Sequence, residues 1–179
     1  MPRYVAFLRA INVGGHVVKM DLLRSLFADL GLANVETFIA SGNVIFETSG
    51  KKTEALEQRV EEELKSALGY EVATFIRTLP EVRTIASWRP FPEREIAEAR
   101  AFSVGLLKEP LARGARQALG ELETDVDAFE VRGRELYWLC RAKQNESKFT
   151  NAVFERKAAV RATFRGMNTM ERLARKYPA

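Results

Sequence analysis

Glycines, amide side chains and cations that could bind an anion occur in two short stretches of the first half of the chain. The stretch "RAINVGGHVVKM" (residues 9–20) contains the pair Gly14-Gly15, and a third glycine lies in "SGN" (residues 41–43). Glycine lets a ligand approach backbone N–H groups, and Lys and Arg favour negative charge. The candidate ligand-binding residues are Arg9, Asn12, Gly14, Gly15, His16, Lys19, Ser41, Gly42 and Asn43.

The same residue types also have purely structural uses. Glycines serve where a strand reverses into a helix and where a hairpin turns, and Asn12 or Ser41 could satisfy buried backbone groups. The stretch matches neither G-x-x-x-x-G-K-[ST] nor G-x-G-x-x-G, so it gives no support to a nucleotide-binding motif. The choice between a turn and a ligand contact therefore stays open.

The sequence contains few residues that could bind a metal ion or act in catalysis. His16 is the only histidine and Cys140 the only cysteine, which excludes a histidine-rich or paired-cysteine metal site. Histidine titrates near neutrality and could act as a general base, but the sequence places no Ser, Cys or carboxylate partner beside His16. We expect no metal and no cofactor, and the catalytic residues of any enzyme stay unknown. Cys140, in the apolar stretch "LYWLC", is expected to be a buried structural thiol.

The elements that must position the candidate residues follow a β-α-β-β-α-β order in the first half. Apolar residues recur at helical spacing from Met20 to Leu30, and two β-rich runs are separated by Ser41-Gly42, which predicts a tight hairpin. This order is the split βαβ, or ferredoxin-like, pattern. Strands are predicted at residues 3–9, 34–40, 43–47 and 71–78, and helices at 20–30 and 53–68.

A similar order restarts after a segment that contains three prolines. The repeat is one of pattern and not of sequence. We predict an α+β fold of two ferredoxin-like (βαββαβ-type) modules with antiparallel sheets: module 1 over residues 1–78, a connecting segment over 79–99, and module 2 over 100–179 with a basic C-terminal helix. In module 2, strands are predicted at residues 100–107, 127–131, 135–140 and 161–165, and helices at 111–119, 151–159 and 168–176.

Connectivity brings the two glycine stretches together. A right-handed β-α-β crossover makes the first and second strands parallel, so the loop over residues 10–19 and the turn over 41–43 should be neighbours. Both faces of the first strand are apolar, with Val5 and Phe7 on one side and Tyr4, Ala6 and Leu8 on the other. The second face must therefore be covered by the other module or by a partner subunit, which disfavours the open sheet of an RNA-recognition motif.

Charge and hydropathy restrict the partners. Residues 141–179 hold ten Lys and Arg against three Asp and Glu, whereas the rest of the chain is slightly acidic. Such asymmetry can mark a nucleic-acid surface, but these cations are spread along predicted helices, which favours a solvated helix face. No run of about 18 apolar residues could form a membrane helix, and the N-terminus lacks a secretory pattern. We expect a cytoplasmic protein without a membrane partner.

Four stretches fall in the order and spacing of a known family. They are "YVAFLRAINVGGHVVKM", "VETFIASGNVIFE", Ser147-Lys148 and "TFRGMNTMERL". Together they resemble the bacterial Domain-of-Unknown-Function 1697 family, whose pattern runs F-L-R-G-I-N-V-G-G, S-G-N-V-x-F, S-K and T-x-R-N-W-N-T. The resemblance spans nearly the whole chain and implies an α+β protein of ferredoxin-like modules, with no established activity.

The chain departs from this pattern at three positions. Ala10 stands in place of a glycine, and Gly166-Met167 stand in place of Asn-Trp, so a ligand pocket that used Asn-Trp would be altered. The remaining letters of the last motif match. As second-tier site candidates, the resemblance implies Lys148, Arg165, Asn168 and Thr169.

Three classes of function stay open. The favoured one is binding of an anionic ligand, either a phosphorylated metabolite or nucleic acid, at the glycine-rich edge formed by the two stretches. The second is an enzyme that uses His16, Lys19 or Ser41 in a cleft between the modules. The third is a structural or interaction protein in which the loops only turn, and the oligomeric state is open.

Overall fold

A computed structural model describes residues 1–9, 11, 17–39 and 42–178 of the chain. These residues form two compact units. Unit 1 comprises Met1–Arg83 together with the residues from Leu173 onward, and unit 2 comprises Thr84–Arg172. The predicted end of module 1 at residue 78 and the predicted start of module 2 at residue 100 stay predictions.

The first sheet has the strand order β2-β3-β1-β4, with every neighbouring pair antiparallel. Three of its strands bury consecutive residues on both faces, and amphipathic runs form the helices packed on it. Its elements are β1 (Arg3–Leu8), α1 (Met20–Asp29), β2 (Ala33–Thr37), β3 (Asn43–Glu47), α2 (Thr53–Leu68) and β4 (Thr74–Thr78), followed by α3 (Leu79–Ser87) and α4 (Glu93–Glu98).

The second sheet repeats this topology with the order β6-β7-β5-β8. The α+β class with two similar ferredoxin-like modules and antiparallel sheets is thereby confirmed. The elements are β5 (Ala101–Leu107), α5 (Arg113–Gly120), β6 (Asp127–Arg132), β7 (Glu135–Cys140), a 3-10 turn at Gln144–Glu146, α6 (Asn151–Ala158), β8 (Ala162–Gly166) and α7 (Met167–Lys176).

Both faces of β1 are buried, as its composition predicts. Tyr4, Ala6 and Leu8 belong to the core that the first sheet shares with α1 and α2. Val5 and Phe7, on the opposite face, have no exposed surface. The central strand of unit 1 is therefore shielded from water on both sides.

The repeat extends to the position of single residues. In the first sheet Val5 lies opposite Arg77, and in the second Val104 lies opposite Arg165. In each case the arginine is followed by one strand residue, and a helix begins at the next position, at Leu79 or Met167. The starts of α3 and α7 are therefore equivalent sites in the two repeats.

Two local expectations need correction. The β2–β3 hairpin is present, but β2 ends at Thr37 and the Phe38 N–H donates to the Asn43 carbonyl oxygen at 3.0 Å, so the loop spans residues 39–42 and is longer than a tight two-residue turn. The segment 79–99 contains helices α3 and α4, for which its prolines gave no signal. Pro80 lies in the first turn of α3. Backbone N–H groups there have no hydrogen-bond acceptor within the helix, so a proline removes no helical hydrogen bond.

Candidate functional site

Part of the glycine-rich edge can be placed in the structure. Asn12, Gly14, Gly15, His16 and Ser41 lie outside the described residues. The described members are Arg9, Lys19, Gly42 and Asn43.

The strand register brings the described members to one end of the first sheet. β1 and β2 both pair antiparallel with β3, so they run parallel to each other. Phe7, near the end of β1, lies directly opposite Asn43, the first residue of β3. The expected proximity of the β1 end and the hairpin loop is confirmed for the flanking residues that the structure describes.

The start of α1 also lies beside this edge in the chain. Ile11 and Val18 are buried in the core of unit 1, so both ends of the intervening loop are anchored there. Lys19 is the N-cap residue of α1; its backbone is extended, its side chain is exposed and, within the described part of the chain, it makes no capping hydrogen bond. A helix start that follows a glycine-containing stretch of the sequence is suited to an anion.

Asn43 has a structural contact at this edge. It is buried, and its Nδ2 donates to the Phe38 carbonyl oxygen at 2.9 Å. This bond and the Phe38 N–H bond to Asn43 close the hairpin loop from both sides. Ile39 within that loop has a φ of +48°, a conformation that is strained for a β-branched residue. Asn43 therefore shapes the loop that carries Gly42.

A second candidate is a cleft of about 510 Å³ in unit 2, which we call the unit-2 cleft. It lies where β5 begins, β8 ends and α7 starts. Its size falls in the range of pockets that hold small organic ligands, roughly 300 to 1,000 Å³. The lining residues are Arg100, Ala101, Phe102, Ser103, Gln144, Phe164, Arg165, Gly166, Met167 and Asn168.

Polar and apolar groups meet in the unit-2 cleft. Ser103 is buried, and its Oγ accepts a hydrogen bond from Gln144 Nε2 at 3.4 Å. Gly166 pairs with Ser103 across the sheet and presents no side chain. Asn168, in the first turn of α7, is exposed. The cleft thus offers amide and hydroxyl groups on the same sheet face as the ring of Phe164.

The structure separates the second-tier candidates. Arg165 and Asn168 line the unit-2 cleft, whereas Lys148 is exposed elsewhere and the Thr169 N–H donates to Asn168 Oδ1 at 2.9 Å. Alternation places the Arg165 side chain on the sheet face opposite Ser103, and its Nη1 donates to Thr163 Oγ1 at 2.8 Å. Burial lowers the pKa of Arg165 to about 10, so the guanidinium stays charged at neutral pH.

Sequence analysis missed most of this cleft. Arg100, Ser103 and Gln144 carry no motif, and only the strand pairing and the 3-10 turn bring them together. The pattern S-K indicates Ser147-Lys148, and neither residue lines the cleft. No comparable signal exists for Arg100 or Ser103.

Ser147 itself has a structural role. Its Oγ donates to Asp127 Oδ2 at 2.7 Å and accepts from the Phe149 N–H at 2.9 Å. The other carboxylate oxygen of the buried Asp127 accepts from Trp138 Nε1 at 2.8 Å. Ser147 thereby fixes the segment after the 3-10 turn to the second sheet.

The described part of the chain comprises residues 1–9, 11, 17–39 and 42–178. Within these ranges no three His, Cys, Asp or Glu side chains are grouped so that they could hold a metal ion. Within the same ranges no helix is both long and apolar enough to cross a membrane.

Comparison with known proteins agrees with this architecture. The family model described as Protein of unknown function (DUF1697) matches residues 1–137. The chain belongs to this family. The motifs at Ser147-Lys148 and at residues 163–173 lie beyond the matched residues. Among curated proteins, no significant match is found.

A solved structure has the same fold. It is that of the conserved bacterial protein SP0830 from Streptococcus pneumoniae, with a TM-score of 0.77 and 22% sequence identity over 98% of each chain. At this identity the similarity concerns the fold alone. The two-module architecture is thus one that this family member shares with a bacterial protein of solved structure.

Proposed function

We propose that this protein binds a phosphate-bearing small molecule at the glycine-rich edge of unit 1. The observation that carries the proposal is the order strand, glycine-containing loop, helix start, with the N-cap residue Lys19 exposed. Backbone N–H groups at a helix start and a nearby cation both favour negative charge. The proposed ligand contacts come from the loop that joins β1 to α1 and from the hairpin loop with Gly42.

Several weak contributions must combine at such a site. A helix start contributes only roughly 0.3 to 1 kcal/mol toward a nearby anion. Lys19 at the helix start adds a full charge, and Arg9 follows the end of β1. The hairpin loop joins them because Phe7 lies opposite Asn43. The role of Asn43 in this proposal is to hold the loop, since its amide group contacts Phe38.

A small molecule fits this edge better than nucleic acid does. Nucleic-acid affinity depends on neutralising many phosphates, and its salt dependence grows with their number. The described cations at the edge are Arg9 and Lys19, which would engage few phosphates. A catalytic use of His16 and a cytoplasmic location remain part of the hypothesis and are not needed for binding.

The proposal is tested by titrating the protein with inorganic pyrophosphate in a calorimeter. We expect saturable binding that Lys19→Ala weakens about tenfold, which corresponds to about 1.4 kcal/mol. Lys51→Ala is the matched control, because it removes the same charge after β3, at the opposite end of the sheet. Failure of pyrophosphate to bind, or equal losses in both variants, would overturn the proposal. Binding of a single-stranded oligonucleotide with a steep salt dependence, without pyrophosphate binding, would replace the small molecule by nucleic acid.

A further inference from the structure

The internal repeat allows two equivalent helix starts to be compared. α3 begins after Thr78 and α7 begins after Gly166, and these two residues occupy the same place in their sheets, opposite Tyr4 and Ser103. Three residues later, Glu81 in α3 corresponds to Thr169 in α7. Because these two positions are equivalent, a difference between their residues is a difference between the two repeats at the same place in the fold.

In unit 1 the side-chain carboxylate of Glu81 lies at this helix start. The Thr78 N–H donates to Glu81 Oε2 at 2.7 Å, and the Glu81 N–H donates to Thr78 Oγ1 at 3.2 Å. This reciprocal pair is a capping box. The negative charge of Glu81 lies at the start of α3, where it interacts favourably with the helix dipole.

In unit 2 the equivalent residues cannot form that pair. Residues 166–169 are Gly-Met-Asn-Thr, which include no carboxylate, and the residue equivalent to Thr78 has no side chain. The unit-2 cleft opens at this point, with Gly166, Met167 and Asn168 in its lining. A Cβ on Gly166 would lie 2.7 Å from Asn168 Oδ1, the end of an exposed side chain, so the Asn168 amide lies close to this point.

We propose that the unit-2 cleft binds a small organic oxyanion, whose charged group occupies the place that the Glu81 carboxylate has in unit 1. This site is separate from the glycine-rich edge and does not depend on it. The oxyanion, a carboxylate or a phosphate, lies near Gly166 and the exposed cation Arg100. The amides of Gln144 and Asn168 supply further donors.

The remainder of the cleft determines the rest of the ligand. About 510 Å³ is far more than a single phosphate group fills. Phe164 and Met167 supply apolar groups to the cleft. Phe164 lies on the same sheet face as Ser103 and Gly166, and its ring is half-buried. The Phe164 ring is held by edge contacts with Trp138 and Phe149, whose ring centroids are 6.0 and 5.9 Å away. A ring held in this way is a preorganised surface for an aromatic or aliphatic group, so the ligand combines an oxyanion with an apolar body.

Phenyl phosphate is the probe that carries both features, with inorganic phosphate and phenol as its separate halves. We expect phenyl phosphate to bind at least fivefold more tightly than either half and to shift the backbone amide NMR signals of Gln144, Gly166 and Asn168. Binding that shifts the Lys19 and Gly42 signals instead would overturn this inference and support the proposed function of unit 1. Phenyl phosphate binding no better than inorganic phosphate would overturn the apolar part of the site.

The repeat also supplies the decisive variant. Thr169→Glu places a carboxylate where unit 1 has Glu81, and we expect it to weaken phenyl phosphate binding at least tenfold while leaving the thermal midpoint unchanged or higher. Thr169→Gln has the same shape without the charge and should stay within about twofold of the unmodified protein. Arg100→Ala, at an exposed position, gives an independent measurement should Thr169→Glu fold poorly, and it should weaken binding severalfold. Equal binding by the Glu and Gln variants together with no effect of Arg100→Ala would refute the site.

Discussion

The ring of Phe164 lies directly against the backbone of Gly105. The two residues are opposite each other in the β5–β8 pair, and a Cβ at position 105 would come within 2.7 Å of Phe164 Cζ. Ring and backbone can approach so closely only because residue 105 has no side chain. The same ring forms part of the wall of the unit-2 cleft.

Gly105→Ala is therefore expected to destabilise the protein by about 1 to 3 kcal/mol, the range for overpacking a core. Gly114→Ala is the control, because no heavy atom lies within 4 Å of a Cβ at that position in α5. Because Gly114 lies in the first turn of α5, we expect the control to change stability by less than about 0.5 kcal/mol. Urea unfolding followed by circular dichroism measures both; similar effects of the two substitutions would contradict the close contact.

Ser147→Ala should destabilise the protein by about 1 to 3 kcal/mol, because it leaves one oxygen of the buried Asp127 carboxylate without its hydroxyl donor. Ser87→Ala, which removes an exposed hydroxyl, should change stability by less than about 0.5 kcal/mol. Chemical denaturation gives the free energies. The fluorescence of Trp138, whose Nε1 donates to Asp127, should change in the Ser147 variant. An unchanged emission spectrum and an unchanged midpoint would refute this role of Ser147.

Glu47 is expected to contribute acid-sensitive stability. Hydrogen bonds from Asn34 and then from Arg3 hold the pKa of the Glu47 carboxyl below its ordinary value of 4.5. The folded state thus releases this proton more readily than the unfolded state, so the contribution is present above pH 4.5 and is lost as the pH falls through the lower folded value. Unfolding measured from pH 7 to pH 3 should show a smaller decline for Glu47→Gln than for the unmodified protein. An identical decline would show that Glu47 does not contribute.

We expect Tyr177 to stabilise the folded state by an amount that decreases at alkaline pH. Burial, and then the hydrogen bond that its hydroxyl donates to Glu36 at 2.7 Å, raise the pKa of Tyr177 above its ordinary value of about 10. The folded state holds this proton more tightly, so its contribution is complete below pH 10 and declines as the pH rises toward the higher folded value. Tyr177→Phe should flatten the loss of stability between pH 9 and pH 11. A steeper loss in the variant would contradict the assignment.

Cys140 should be protected from alkylation in the folded protein. The residue has no exposed surface, and burial raises the pKa of its thiol, which reduces the thiolate fraction that reacts. Iodoacetamide at pH 8 should modify Cys140 at least 100-fold more slowly in buffer than in 6 M guanidinium chloride. Modification at the same rate in both conditions would show that β7 opens readily.

Periodicity predicted the elements that bury a regular apolar face. The predicted spans of β3, α2 and β7 coincide with the observed ones, because Val44 to Phe46, Leu56 to Leu64 and Leu136 to Cys140 bury side chains at strand or helix spacing. α3 was not predicted, because the three prolines of the segment 79–99 suggested a connecting loop. Its start is stabilised by the pairing of Thr78 with Glu81, a capping signature that the sequence does contain.

The candidate sites were less predictable than the fold. Connectivity correctly placed the β1 end near the hairpin loop, since strand order follows from the element order. The structural contact of Asn43 with Phe38 depends on a loop length that composition does not encode. Arg100 and Gln144 are 44 positions apart in a sequence without a motif, so the unit-2 cleft emerges only when the sheet has formed.

The bond between Tyr177 and Glu36 has a consequence for the order of events during synthesis. The two residues are 141 positions apart, although both belong to unit 1. The first sheet can pair its strands early, but this contact cannot form until residue 177 has left the ribosome, and closing so long a loop is slow. Unit 1 therefore begins to fold first and acquires its last contacts after unit 2 has been translated.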